Sequence, residues 1–240
     1  MTHKKENFWI PYADLMTVLM VVFLFISIAY MGLLQLKQKE QDKLVTDYRQ
    51  SKQELFEDLQ KKFKDDLKRW NLELDKDLSI KFTNPQVLFA SGKSEITPEF
   101  QKILSEFFPK YLSVVLKDKY REKIAEIRIE GHTDVYPIYN SNRDPYIDNI
   151  QLSQDRSRNV LAFIRALPSY KSLSHENESL LMFWLTANGL SYGRTLDSDK
   201  QLTHISGKKI DIDKSRRVEF RIVTTSDVLI DQMVDQIEKQ

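Results

Sequence analysis

The run from Leu15 to Leu34, LMTVLMVVFLFISIAYMGLL, limits what this chain can become more than any other stretch. It has twenty residues and no charge. A hydrocarbon layer is crossed by a helix of about 20 predominantly apolar residues. The apolar character extends back through Phe8, Trp9, Ile10, Tyr12 and Ala13. Trp9 and Tyr12 stand where an interfacial aromatic belt would stand. A cleaved signal peptide would have a shorter apolar core, about 7–15 residues, ending at a small-residue cleavage site. Here the run continues to Lys37. Residues 8–36 therefore read as an uncleaved transmembrane helix. His3, Lys4 and Lys5 precede it, and Lys37 and Lys39 follow. The short flank 1–7 reads as cytoplasmic, with the bulk of the chain translocated.

One carboxylate interrupts the apolar character. Asp14 lies within YADLMT, roughly 9 Å beyond Phe8 at about 1.5 Å per residue. Pro11 suits a first helical turn, and a carboxylate near a helix N-terminus gains from the dipole. A carboxylate within the membrane also costs about 2.5–3.5 kcal/mol on insertion scales and usually serves a purpose there, such as carrying an ion. The residues alone leave both readings open. Thr17 is the one nearby hydroxyl that could help to hold sodium.

Residues 37–77 change character. They hold 22 charged residues, 11 of each sign, and Gly and Pro are absent between Gly32 and Pro85. Leu55, Leu59, Phe63, Leu67, Trp70 and Leu74 recur at helical spacing and form one apolar stripe. This predicts a solvated amphipathic helical linker. Its stripe is either a seam between two copies or a face packed on the chain's own domain.

From residue 78 to 226 the pattern is α+β. LSIKF (78–82), IAEIRIEGHTD (124–134) and SRRVEFRIV (215–223) alternate as strands do, and LLMFWLTANG (180–189) reads as a further strand. Thr97–Pro98 opens a helix in which Pro109 is expected to make a kink or break. LSQDRSRNVLAFIRAL reads as a helix with Ser153 as its N-cap, and residues 227–240 read as a terminal helix. The connections 135–149, 169–179 and 194–214 are long and polar.

The motifs in this region form a set. GHTD (131–134), N-x-x-L-S-x-x-R (149–156) and SRRVEF (215–220), preceded by LFASGKSEITPE (88–99), strongly resemble the OmpA-like peptidoglycan-binding domain. Ser215 stands where that family usually has Asn. FWIPYADLMT followed by an apolar span is similar to the transmembrane helix of MotB-type stator subunits, and its wording most resembles the B subunits of Zorya anti-phage defence systems. The resemblance implies a proton- or sodium-driven rotary stator. Its B subunit would carry ions on Asp14 and sit as a homodimer inside a five-copy ring of a MotA-like multi-helix partner, in the bacterial inner membrane. A flagellar role and a passive tether are the alternatives.

The far site can be reasoned from chemistry as well. The stem peptide of many Gram-negative walls carries diaminopimelate, which presents an ammonium beside a carboxylate. Asp134 can hold the ammonium, and Arg156 can hold the carboxylate in bidentate fashion. The resemblance gives both residues these roles. It adds Thr133 and Asn149 as neighbouring contacts and Arg216 or Arg217 as a flanking one. Gly131 and His132 are expected to shape the turn.

Other classes find little support. There is no cysteine, and 36 basic residues nearly balance 35 acidic ones. No basic patch interleaved with stacking aromatics suggests nucleic acid. HExxH, GxSxG and phosphate-loop motifs are missing, and His3, His132, His175 and His204 show no metal spacing. No catalytic role, cofactor or metal is expected.

Overall fold

A computed structural model describes residues 9–137, 144–225 and 227. The expected terminal helix, apart from Asp227, and the N-terminal flank 1–7 lie outside these residues. The chain divides into two units, residues 1–49 and residues 50–240.

In the first unit the described residues are all helical and belong to α1 (Trp9–Phe63). The stretch Tyr12–Lys39, whose most apolar 18-residue window has a mean hydropathy of 2.5, is long and apolar enough to cross a membrane. Its apolar side chains are exposed, so it is not the core helix of a soluble domain.

The second unit opens with the end of α1. It continues through α2 (Asp66–Arg69), β1 (Leu72–Leu74), β2 (Ser79–Phe82), α3 (Pro85–Leu88), α4 (Pro98–Val115), β3 (Ile124–His132) and α5 (Pro145–Ala166). There follow α6 (Pro168–Lys171), α7 (His175–Trp184), β4 (Leu185–Gly189), α8 (Thr203–Ser206), α9 (Ile212–Ser215) and β5 (Arg217–Thr224). The strands form one sheet in the order β1-β2-β5-β3-β4. Only β3 and β4 run parallel. The α+β expectation holds.

Strand alternation sorts the sheet into an apolar and a charged face. Ile80, Phe82, Ile127, Ile129, Val218, Phe220 and Ile222 enter the core with the helices. Lys81, Glu130, Arg217 and Glu219 point the other way and are nevertheless buried. The segment after β4 helps to cover them. The Arg194 carbonyl accepts from Arg217 Nη1 at 3.2 Å, and Lys200 pairs with Glu73 at 2.8 Å.

Several expectations change. The boundary near residue 77 falls earlier, because residues from 50 onward belong to the folded unit and Leu72–Leu74 is an edge strand. Of the two readings of the apolar stripe, the domain face is the one found. Leu55, Leu59 and Phe63 are fully buried in the core, and Phe63 stacks on Phe107 with centroids 5.0 Å apart. Pro109 does not end α4. Phe107, Phe108, Tyr111 and Leu112 are buried around it, and this packing outweighs the one backbone bond that proline removes.

Residues 180–184 are helical. Ser174 caps α7 by accepting from the Asn177 N–H at 3.3 Å, with Glu176 and Glu178 in the first turn. Helical geometry places Leu181 and Trp184 in the core and leaves Met182 and Phe183 exposed. Ser153 is not a cap either. α5 begins two turns earlier at Pro145, where Asp144 Oδ1 accepts from the Tyr146 N–H at 2.9 Å.

Leu59→Ala should destabilise the folded unit by about 2–5 kcal/mol, the usual cost of removing a large aliphatic core side chain. Urea unfolding of the full-length protein in detergent, followed by tryptophan fluorescence, measures it. A seam residue would instead change the oligomeric state and leave the unfolding midpoint in place.

Candidate functional site

The site is assembled where β3, α5 and β5 converge. Gly131, near the end of β3, has no room for a side chain. A Cβ there would lie 2.3 Å from the Ser153 carbonyl oxygen of α5. Gly131 is thus a strand position at which the helix backbone comes close, rather than a shaper of the turn as expected. The same crowding recurs at its register partner on β4, Gly189, whose Cβ would lie 2.3 Å from the Gln154 nitrogen. This contact fixes α5 against the sheet. Arg156 lies on that helix about three turns from its start, and Asp134 lies two residues past β3.

All six residues expected at the far site line one cavity of about 680 Å³. The structure distinguishes their parts. Asp134 Oδ1 accepts from the Tyr136 N–H at 2.9 Å, and Oδ2 lies 3.4 Å from Arg216 Nε. Arg156 donates from Nε to the Lys93 carbonyl at 2.9 Å, and its guanidinium lies 4.8 Å from the centroid of the Phe89 ring. Thr133 is buried, and its hydroxyl has no partner among the described residues. Burial is the main influence on Arg156, and with nearby Arg216 it lowers the pKa to about 10 against the opposing pull of Asp134. The guanidinium therefore remains charged at neutral pH and faces one carboxylate that Arg216 also claims. Such a cavity has cationic capacity to spare for a ligand carboxylate.

Asn149, Arg216 and Arg217 divide the remaining tasks. Asn149 is buried, and its Nδ2 donates to the Tyr136 carbonyl at 3.1 Å and the Pro145 carbonyl at 3.0 Å. It holds the cavity-lining loop to the start of α5. Arg216 bridges Asp134 and Asp213. Arg217 donates to Glu219 Oε1 at 2.5 Å and to two backbone carbonyls, so it belongs to the cavity wall. Phe89 and Tyr136 also line the cavity and escaped the sequence reading. Phe89 lies within LFASGKSEITPE, so its position in a matching motif was the available signal.

Beneath the cavity lies a buried charge cluster. His132 Nε2 is 3.6 Å from Glu130 Oε2 and 3.5 Å from Glu219 Oε1, too long for well-formed hydrogen bonds. These three side chains could in principle hold a metal. However, Arg217 is 2.5 Å from Glu219, and Arg221 is 3.6 Å from Glu130. The carboxylates are already matched by guanidinium charge, so the donor set suits an internal ion network better than a divalent cation.

At the other end of the chain, the Thr17 hydroxyl donates to the Ala13 carbonyl at 2.8 Å. Its proton is engaged by the helix, while its oxygen keeps lone pairs. Asp14 and Thr17 belong to the first unit and the six cavity residues to the second.

The ion network makes stability depend on pH. Burial alone would raise the Glu219 pKa. His132 when protonated, Arg217 and Lys81 outweigh that effect and hold it at about 2. Its native pKa is thus depressed, so Glu219 stabilises the fold above the unfolded carboxylate range, about pH 4.3. That contribution is lost as pH falls from there through about 2. Burial, then Arg217, also lowers the His132 pKa, which adds acid sensitivity in the same direction. Thermal unfolding between pH 5 and pH 2 should show a steep loss of stability, and Glu219→Gln should flatten it while lowering stability at pH 7.

No family model matches the chain. It is 34% identical to the Zorya protein ZorB of Escherichia coli (strain Crooks) over 235 residues, covering 97% of this chain and 94% of that one. A second ZorB, from Escherichia coli O139:H28, is 24% identical over 93% of this chain and 91% of its own length. Among solved structures, a MotB-like protein of Desulfovibrio vulgaris is 20% identical with a TM-score of 0.48, covering 74% of this chain and 93% of that chain. The periplasmic domain of Helicobacter pylori MotB is 15% identical with a TM-score of 0.41, covering 66% of this chain and 84% of that chain. Those two likenesses carry no functional weight at that level of superposition. The match to the Crooks-strain protein, spanning nearly the whole of both sequences, shows that the chain belongs to the ZorB family.

Proposed function

We propose that this chain is the B subunit of a Zorya anti-phage stator, carrying protons or sodium on Asp14 and gripping peptidoglycan through Asp134 and Arg156. The observation that carries the reading is the cavity. It places an acid and a stacked, buried guanidinium together on rigid elements, as a diaminopimelate zwitterion requires. The membrane half is supported by a 28-residue apolar helix with one carboxylate near its start. In this reading the helix spans the inner membrane with its N-terminus cytoplasmic. Two copies stand inside a five-copy ring of a MotA-like partner. Neutralising Asp14, by a proton or a sodium ion, changes its contacts with that ring. With the wall domains held still, the ring turns and drives a cytoplasmic response to phage.

Asp14→Asn keeps size and removes the titratable charge. Normal membrane insertion with loss of phage protection in a plating assay is the expected outcome. Wild-type protection would leave only a passive tether. For the wall, Asp134→Asn keeps an acceptor for the Tyr136 N–H and removes the charge. Together with Arg156→Lys it separates charge from fork geometry. Each should weaken sedimentation of the full-length protein with purified sacculi. Removing one member of a ligand-buried charge pair costs about 2–5 kcal/mol. Unchanged sedimentation of both variants would remove Asp134 and Arg156 from the site.

A further inference from the structure

α5 grips the rim of the cavity at two consecutive carbonyls. Arg156 Nε donates to the Lys93 carbonyl at 2.9 Å, and Asn159 Nδ2 donates to the Ser94 carbonyl at 2.8 Å. The two side chains stand three residues apart, so they share one face of the helix. Arg156 lines the cavity, whereas Asn159 is not among the lining residues.

The segment they hold is exposed and has few fastenings of its own. Ser91, Gly92 and Lys93 are exposed, and Gly92 turns the chain with φ 68°. Phe89 and Ile96 close the base of this loop as an antiparallel bridge, and the Lys93 N–H donates to the Ala90 carbonyl at 3.0 Å. Both bonds leave the Lys93 and Ser94 carbonyls to the side chains of α5.

The Lys93 carbonyl matters because it orients a guanidinium. The planar fork of arginine is aimed by whatever its Nε bonds. Here Nε is on that carbonyl, and Cζ lies 4.8 Å from the Phe89 ring centroid. The outer edge, Nη1 and Nη2, is left for a ligand carboxylate. An acceptor on a loose loop would move with the guanidinium and fix nothing. Asn159 supplies a second, independent anchor one residue further along that loop. We propose that Asn159 is a positioning residue for Arg156, fixing the Lys93–Ser94 backbone so that the guanidinium presents its two-nitrogen edge to the ligand. The proposal deepens the wall-binding reading of the cavity and rests on it.

The rival reading is that Asn159 fastens the loop for stability alone. A double-mutant cycle separates the two. The probe is the diaminopimelate-containing stem tripeptide, titrated calorimetrically into the full-length protein in detergent. Asn159→Ala removes the donor and suits a helix. It should weaken binding about fivefold, the loss expected of one orienting hydrogen bond. Arg156→Lys keeps the charge and has no fork to orient. In that background Asn159→Ala should change the affinity by less than about twofold. An equal loss in both backgrounds overturns the proposal, because Asn159 would then act on the fold and not through the guanidinium. Undiminished binding by Asn159→Ala alone overturns it as well. A wild type that fails to bind the tripeptide overturns the wall-binding reading itself, and the positioning role with it.

Discussion

Where the sheet meets α5, backbone packs on backbone, and the geometry of the cavity depends on that contact. Gly131 and Gly189 stand side by side on neighbouring parallel strands, and each admits α5 to a distance that a methyl group would forbid. Polar bonds then fasten the helix to the sheet. Gln154 accepts from the Gly189 N–H at 2.7 Å and donates to the Ala187 carbonyl at 3.0 Å, while Ser153 Oγ accepts from the Ser191 N–H at 3.0 Å. In these bonds Gln154 satisfies backbone groups of β4, the edge strand on that side. Arg156 and Asn149 are carried on the same helix, one about a turn after this seam and one about a turn before it. A displaced α5 would therefore move the guanidinium and loosen the Tyr136 loop together.

The charges of the second unit do two different kinds of work. Glu219 is fully buried and Arg217 nearly so, and they satisfy each other and nearby carbonyls. Across the strands, Glu130 faces Glu219 and Arg128 faces Arg221, so like charges stand opposite in register. The diagonal contact of Arg221 with Glu130 and its same-strand contact with Glu219 restore the balance. This arrangement is costly to break, because removing one partner leaves an uncompensated buried charge. Asp134 and Arg156 are different. They are buried at the mouth of a cavity, and the bonds that fix them leave part of their charge unmatched. Thr133 beside them keeps a hydroxyl without a partner among the described residues. Groups held this firmly and satisfied this incompletely are prepared for a ligand.

Much of the cavity lining was legible because its residues occur in short motifs whose physical tasks are local. GHTD supplies the close-approach glycine and the acid, and LSQDR supplies the seam serine and the guanidinium. Elements set by long-range packing were harder to read. Ser153 resembled a helix cap because serine before an apolar run usually is one. Here its hydroxyl is spent on Ser191, and the true cap, Asp144, lies beyond a Pro-containing start. The apolar run at 180–184 looked like a strand by composition, whereas the signals that decide it, Ser174 and the acids after it, lie upstream in what looked like a loop. The stripe from Leu55 to Leu74 fitted two partners equally well. Spacing shows that a helix face is apolar and cannot show what covers it.

The two units of the chain engage their polar groups in opposite ways. The second unit supplies its own counter-ions, and the acid and the guanidinium of its cavity both come from this one sequence. The first unit holds its hydroxyls to itself. Thr17 donates to the Ala13 carbonyl and Ser27 to the Phe23 carbonyl, each at 2.8 Å. Such back-bonding is the usual resting arrangement of a hydroxyl on an apolar helix. Thr17, three residues after Asp14, offers one hydroxyl oxygen that could join it around a cation. Sodium favours several oxygen ligands, whereas a proton requires only the carboxylate. On the proposed reading, selectivity therefore lies with the groups that the surrounding ring brings to Asp14, while the grip on the wall is set by residues of this chain alone.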